Sequence, residues 1–455
     1  MQTERRIRPA TSGKINFTLP PVRTYELNNG LKIYFSEKSD LPLIRINFLV
    51  NSGSRFDPEN LKGMSNLLVM CIDEGAGKYD ALQLADEFEM LGAHFSVSPD
   101  QDVSILSLQV LRENFIPALK LFGSVITEPH FNENDFNREK RKVLARLEQV
   151  KAEPDYIADI SFQHILFGNK SPYAFPMLGI EPTVQEIQIE SVRDLYQKKF
   201  SPLNSSVVVV GNIDWKSLEA NLNDVFGNWN GKTTIEEPLL NQKVSPRKIF
   251  IINKKNAVQT EIRTGHISAK RNETDFFQKQ IMNLALGGQF SSRLNLNLRE
   301  KNGYTYGVHS RFNYFKQSGY FAVSTSVDVE NTTNALREIN SEINKIKKGI
   351  TKEELAFAKS SLTKRFPSNF ETYPQIAGNI TSKIIHNLPD DYFETYINKV
   401  NSVSLDEVNK IAFDSIHPGE LITVLVGDSE KIIGQITGDE FGEKLIIDFE
   451  DIFKK

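Results

Sequence analysis

Two residues of this 455-residue chain, Arg299 and Tyr306, have types and spacing that could do chemistry. They flank Gly303 in the stretch LREKNGYTY, Leu298 to Tyr306. An apolar helical run, Arg293 to Leu298, leads into it, and the glycine ends that run because it tolerates left-handed backbone angles. A strand-like segment, Tyr304 to Phe312, leads out. The two side chains therefore stand on either side of a helix-to-strand turn, close enough to converge on one point. A guanidinium is a permanent cation with several donors, and a tyrosine hydroxyl is a neutral donor. Together they could hold a peptide carbonyl and stabilise the oxyanion formed when water attacks it. The spacing also allows Arg299 to pair with Glu300 or a terminal carboxylate while the tyrosines pack, and taken alone it favours that arrangement. Metal chemistry finds less support. The seven histidines include no pair at i,i+3 or i,i+4, and Cys71 is the only cysteine.

The elements that must position this turn belong to a chain too long for one ordinary core, so two or more domains are expected. Hydrophobic residues make up 40% and charged residues 25%, an ordinary globular composition, and the net charge is −4. That balance gives no reason to expect nucleic acid or an anionic membrane as partner. No segment approaches the roughly 18 apolar residues of a membrane helix, and the first residues hold no run of signal-peptide length. A cytoplasmic protein is the expectation, with a periplasmic one as the alternative if an export signal has been removed.

The first half opens with a hairpin pattern, Thr24 to Leu27 and Leu31 to Phe35 around Asn28-Asn29-Gly30. A buried strand, Leu43 to Asn51, follows, then helical periods over Gly63 to Cys71 and Ala81 to Leu91. Ala93 to Ser98 and Val103 to Val110 read as an antiparallel pair. Helices are expected at Asn114 to Thr127, Glu133 to Ala152, Ile157 to Leu166 and Val192 to Phe200. In the second of these Phe136, Val143, Leu147 and Val150 share one face. Ser205 to Val210 is a continuous β-branched strand. The stretch 233–246 loses periodicity and gains prolines, which marks a linker. Beyond it the order repeats. Ser191-Val-Arg-Asp-Leu-Tyr before Val207 to Gly211 is echoed by Ser404-Leu-Asp-Glu-Val-Asn before Thr423 to Gly427. That offset of roughly 215 residues implies two copies of one α+β unit. The expected architecture is α+β, with homologous domains at 1–232 and 247–455, each an α/β roll in which an antiparallel sheet packs with helices.

The NGLKIYF hairpin, Gly53-Ser54-Arg55 and the LREKNGYTY turn, set in two halves of this size, resemble the zinc peptidases of the pitrilysin, or M16, group. The resemblance covers nearly the whole chain. It implies two homologous domains per subunit, with unfolded peptides clamped between two such subunits. The family binds zinc through His-x-x-Glu-His on the helix just after Gly-Ser-Arg, two histidines facing the metal and the glutamate activating its water. Here those positions are Asn66, Val69 and Met70, and the family's third ligand, a later glutamate, falls at Arg146. Valine and methionine cannot activate water, asparagine is a poor zinc ligand, and arginine repels the cation. The chain should therefore carry no cofactor or catalytic metal of its own. The Arg299 and Tyr306 pair matches the family arrangement in which an arginine and a tyrosine seven residues later reach the other half's zinc site and hold the substrate carbonyl. The resemblance thus implies the zinc-free subunit of a two-subunit metallopeptidase. Its partner would be a homologous subunit with an intact His-x-x-Glu-His and zinc. Zinc-free relatives also serve as structural subunits with no catalytic part, the alternative that this pattern leaves open.

Overall fold

Asn28-Asn29-Gly30 reverses the chain as its turn chemistry predicts, with Gly30 at φ +86°. Strands β1 (Arg23–Glu26) and β2 (Lys32–Glu37) pair antiparallel across it. Asn29 accepts the Leu31 N–H, and its own amide donates to the Phe226 and Trp229 carbonyls, which ties the hairpin to a distant helix end. The computed structural model describes residues 18–231, 237–240 and 244–454. Much of the linker expected at 233–246 lies outside those residues.

Four further strands complete the first sheet: β3 (Leu43–Val50), β4 (His94–Pro99), β5 (Ser104–Leu111) and β6 (Ser205–Gly211), in the order β1-β2-β6-β3-β5-β4. The second sheet holds β7 (Lys248–Asn253), β8 (Gln259–Ser268), β9 (Val308–Tyr314), β10 (Gly319–Asp328), β11 (Ile422–Gly427) and β12 (Glu443–Ile447). Its order is β12-β7-β11-β8-β10-β9. From β2 and β7 onward the two orders are the same, which is the duplication read from the sequence. The sheets are mixed rather than purely antiparallel. β2 runs parallel to β6, and β7 runs parallel to both β11 and β12. A parallel pair needs a long crossover, and both halves supply one by routing most of their helices between the paired strands.

The helices explain a feature of the strands. Ser205 to Gly211 reads SSVVVVG, without the alternation of a half-solvated strand, and its four valines are fully buried. Val207 and Val209 face the helices of their own half. Val208 and Val210 meet the helix Tyr373–Ile385, contributed by the other half through Tyr373, Ile376, Ala377 and Ile380. The exchange is reciprocal. The helix Pro154–Phe167 from the first half lays Ile157, Ala158 and Phe162 on Ile422, Val424 and Val426 of β11. Both central strands are thus covered on both faces, which is why they read as continuous apolar runs. Each large side chain so buried contributes on the order of 1.5–3 kcal/mol, so neither half can leave the other without exposing its sheet. A single proteolytic cut within 232–246 should therefore leave two fragments that co-elute on gel filtration and separate only in denaturant. Fragments that separate in plain buffer would show that the exchanged helices hold little.

Candidate functional site

The turn that carries Arg299 and Tyr306 is held from within at almost every residue. The run before Gly303 is a π-helix, Asn295–Lys301, rather than an α-helix, and the Asn302 N–H reaches back five residues to the Asn297 carbonyl. π segments are rare and recur at functional sites. Leu294 and Leu298 are fully buried. Arg293 grips Glu354 with two donors, each at 2.6 Å. Asn297 donates to Glu338 and Glu342. Asn295, also buried, accepts the Val308 N–H and donates to the Val308 carbonyl at 2.8 Å. Asn283 binds both the carbonyl and the hydroxyl of Ser310. These two asparagines clip the start of β9 to the helices beside it. That strand begins at Val308, not at Tyr304 as the pattern predicts, because residues 304 to 307 form the return of the turn. Gly303 has φ +65°, and the Tyr304 N–H bonds the Leu298 carbonyl.

The outward face of this turn presents what the inward face does not use. Tyr306 is 93% exposed, and among the described residues its hydroxyl has no hydrogen-bond partner. Arg299 is half-buried, lies 3.5 Å from Glu300 and stacks over the exposed ring of Phe290, 4.4 Å away. The Glu300 pairing allowed by the spacing is therefore present, as a long surface contact worth at most about 1 kcal/mol. Arg299 and Tyr306 share one anchored turn, yet no direct bond joins them among the described residues. Phe290 belongs beside Arg299 and escaped the sequence reading. Its signal was the Gly287-Gly288 turn just before it, where a Cβ on Gly287 would meet Ser310 at 2.5 Å.

The helix pair that would hold the family's zinc is present without a ligand set. The helix Met64–Cys71 packs against the helix Glu133–Val150. Asn66 is buried with its amide against the Met70 sulfur at 3.6 Å, Val69 is fully buried, and Met70 packs on the core. Arg146 is held by Glu153 through two contacts of 2.7 and 3.2 Å. An amide, a thioether, an isopropyl group and a guanidinium do not fit zinc. Among the described residues no group of His, Cys, Asp and Glu is placed to hold a metal ion. At the start of the first helix Asp57 accepts the N–H groups of Gly63 and Ser65, both at 2.9 Å, and burial pushes its carboxyl up to about 6 against the pull of these donors. At the other end burial, reinforced by Glu139, raises Glu74 to about 7. These carboxyls are used internally, Glu74 and Glu139 through Arg138.

Gly53-Ser54-Arg55, the resemblance marker, serves the junction between halves. A Cβ on Gly53 would meet the Gln101 carbonyl at 2.3 Å, so only glycine allows this approach. Arg55 lies fully buried between Asp102, 2.9 Å away, and Glu237, 2.6 Å away. Asp102 also accepts the Tyr173 hydroxyl and the Lys316 N–H from the tip of the β9–β10 hairpin. Burial alone would raise the Glu237 carboxyl, but Arg55 and Lys316 hold it below its ordinary range.

Two matching α+β halves with exchanged helices, a helix pair without a zinc-ligand set and an outward Arg/Tyr turn define a duplicated peptidase-type fold. Residues 35–170 match the family described as Insulinase (Peptidase family M16), and residues 186–362 match the Peptidase M16 inactive domain. The chain belongs to the M16 peptidase family. It is 25% identical over 413 residues to a Helicobacter pylori protein described as a non-peptidase homolog, YmxG, covering 89% of this chain and 94% of that protein. An uncharacterized zinc protease YmxG of Bacillus subtilis is 24% identical over 399 residues, 86% of this chain and 95% of the relative. The crystal structure of a peptidase M16 inactive domain from Pseudomonas fluorescens superposes with a TM-score of 0.84 at 25% identity, over 90% of this chain and 98% of that one.

Proposed function

We propose that this chain is the zinc-free subunit of a two-subunit M16 metallopeptidase. It forms half of a chamber for unfolded peptides and supplies Arg299 and Tyr306 to hold the substrate carbonyl. The partner is a homologous subunit with an intact His-x-x-Glu-His, whose bound zinc supplies the Lewis acid and the activated water. This chain's contribution is positional. A cation and a neutral hydroxyl, fixed in advance, receive the charge that develops on the carbonyl oxygen. One observation carries the reading: a rigid turn, anchored through Arg293, Asn295 and Asn297, leaves Tyr306 almost fully in water. A tyrosine kept only for packing would gain on the order of 2 kcal/mol by burial. The rival reading, a structural subunit without a catalytic part, draws on the contacts Arg299 already makes with Glu300 and Phe290.

The test begins with the chain alone. After dialysis it should hold substoichiometric zinc by elemental analysis and cleave no quenched fluorescent peptide. Mixed with a zinc-bearing M16 subunit from the same source, it should form a complex that cleaves, with activity removed by chelator. Stoichiometric zinc and chelator-sensitive hydrolysis by the lone chain would overturn the assignment. So would a stable complex no more active than the partner by itself.

A further inference from the structure

The exchanged helix Pro154–Phe167 covers β8 and β11 but leaves the same face of β9 open. On that face, alternate residues of β9 project together: His309, Arg311 and Asn313, opposite Ser324, Ala322 and Tyr320 of β10. With the flank of the helix they enclose a cavity of about 410 Å³. Its cations differ in their commitments. Arg263 is buried and paired with Asp159 and Glu261. Arg311 is exposed, and among the described residues it has no ion-pair or hydrogen-bond partner. The Tyr320 and Ser324 hydroxyls and the Asn313 amide likewise have no hydrogen-bond partner there. The cavity therefore offers an excess of donors around one uncommitted guanidinium, while the acceptor charge of Asp159 is directed at Arg263. A planar fork of donors matches a carboxylate with two parallel bonds.

The duplication provides an internal control. In the first sheet β4 corresponds to β9, and the residues on the matching face are His94, Ser96 and Ser98. The edge strand there carries no guanidinium, and Arg45 on that face belongs to β3, two strands away, so an arginine at the Arg311 position is a property of one half and not of the fold. Strand addition is blocked at the start of β9, because Asn295, Asn283 and Gly287 already occupy the outer backbone groups of Val308 and Ser310. Recognition here must run through side chains.

We propose that this cavity reads an acidic side chain of the bound peptide, with Arg311 as its carboxylate clamp. The inference rests on the chamber reading and names its substrate class. Arg311 lies five residues along the chain from Tyr306. At about 3.3 Å per residue that is at most roughly 17 Å, since the strand begins only at Val308, so the acidic residue sits within about five positions of the bond that is cut.

The experiment uses matched peptides with Glu, Gln or Lys at those positions, in two assays. In the first, fluorescence anisotropy reads binding of labelled peptides to the lone chain. In the second, kcat/KM is measured with the reconstituted pair. The Glu peptide should be favoured over Gln by about tenfold, mainly through Kd and KM, the usual effect of one charge-assisted clamp. Arg311→Ala should erase the preference, and Arg311→Glu should turn it toward Lys, a reversal that a merely structural role would not produce. Arg311-dependent preference in binding with an inactive pair would sink the catalytic reading and leave the cavity assignment standing. Equal binding of Glu and Gln peptides, or a preference unchanged in Arg311→Glu, would overturn the inference even if the pair cleaves.

Discussion

Arg299→Ala and Tyr306→Phe should each lower the turnover of the assembled pair about 10²- to 10³-fold, the usual effect of removing one oxyanion donor. Both residues project from a turn whose stability resides elsewhere. Leu294 and Leu298 are buried, Arg293 is fixed on Glu354, and Asn295 and Asn297 are fully engaged. Removing a hydroxyl that has no partner among the described residues therefore leaves the fold unchanged, and a loss of rate reports chemistry. Assembly should be little affected, because one exposed side chain is a small part of any interface large enough to be stable. The effect should fall on kcat, since charge on the carbonyl oxygen appears only as the transition state forms. Arg299→Lys is an informative companion. It keeps the charge but loses the planar fork and the stack on Phe290, so partial rescue would show that geometry matters as well as charge. Complex formation is followed by gel filtration and turnover by a quenched peptide. Full activity in intact complexes of both variants would leave the structural-subunit reading in place.

What could be read in advance depended on how local the cause was. The Asn28-Asn29-Gly30 hairpin was legible because its turn chemistry lies within the residues that form it. The buried strand at Ser205 to Val210 was legible from its valines, but the reason for its continuous burial was not. That reason is a helix more than 150 residues away in the chain, and periodicity carries no information about such contacts. The helix Trp215–Phe226 was missed although its signals are present. Asp214 caps it by accepting the Ser217 N–H, and Leu218, Leu222 and Phe226 recur at helical spacing on its buried face. The turn at Gly303 was placed correctly, yet π geometry was not, since one extra residue per turn leaves no trace in composition. Asn283 and Asn295 were invisible for another reason. Asparagine in a sequence reads as surface or turn, and only the fold shows that each satisfies the free edge of β9. The replaced metal positions were read from ligand chemistry, which tolerates few residue types. In the structure Asn66 lies against the Met70 sulfur, Val69 is buried, Met70 packs on the core and Arg146 pairs with Glu153.

Arg55→Met should cost about 3–5 kcal/mol of folding stability, a large share of the roughly 5–15 kcal/mol that holds a protein together. The cost arises from what remains. Asp102 is nearly inaccessible to solvent and, among the described residues, would be left with the Tyr173 hydroxyl and the Lys316 N–H as its side-chain donors. The Arg55 aliphatic stem and its stack on Phe56, 4.1 Å from ring to guanidinium carbon, are largely replaced by methionine, so lost packing is the smaller part. A double variant separates the two contributions. Arg55→Met with Asp102→Leu removes both charges and should lose less than the sum of the single changes, because no uncompensated ion is left buried. Glu237→Gln tests the third member. Its carboxylate is partly exposed, 42% for the side chain, so its pairing with Arg55 is screened by solvent and its loss should stay near 1 kcal/mol or below. Urea unfolding of the native chain, the three single variants Arg55→Met, Asp102→Leu and Glu237→Gln, and the double variant measures these differences. The network joins Asp102 of the first half to Lys316 and Gln317 on the hairpin of the second, so its loss should also loosen the junction between halves. Arg55→Met should therefore speed cutting within 232–246 by limited proteolysis, whereas Glu237→Gln should change it little. A loss below about 1 kcal/mol for Arg55→Met would mean that Asp102 regains water when its partner leaves, and that the junction is held by the exchanged helices alone.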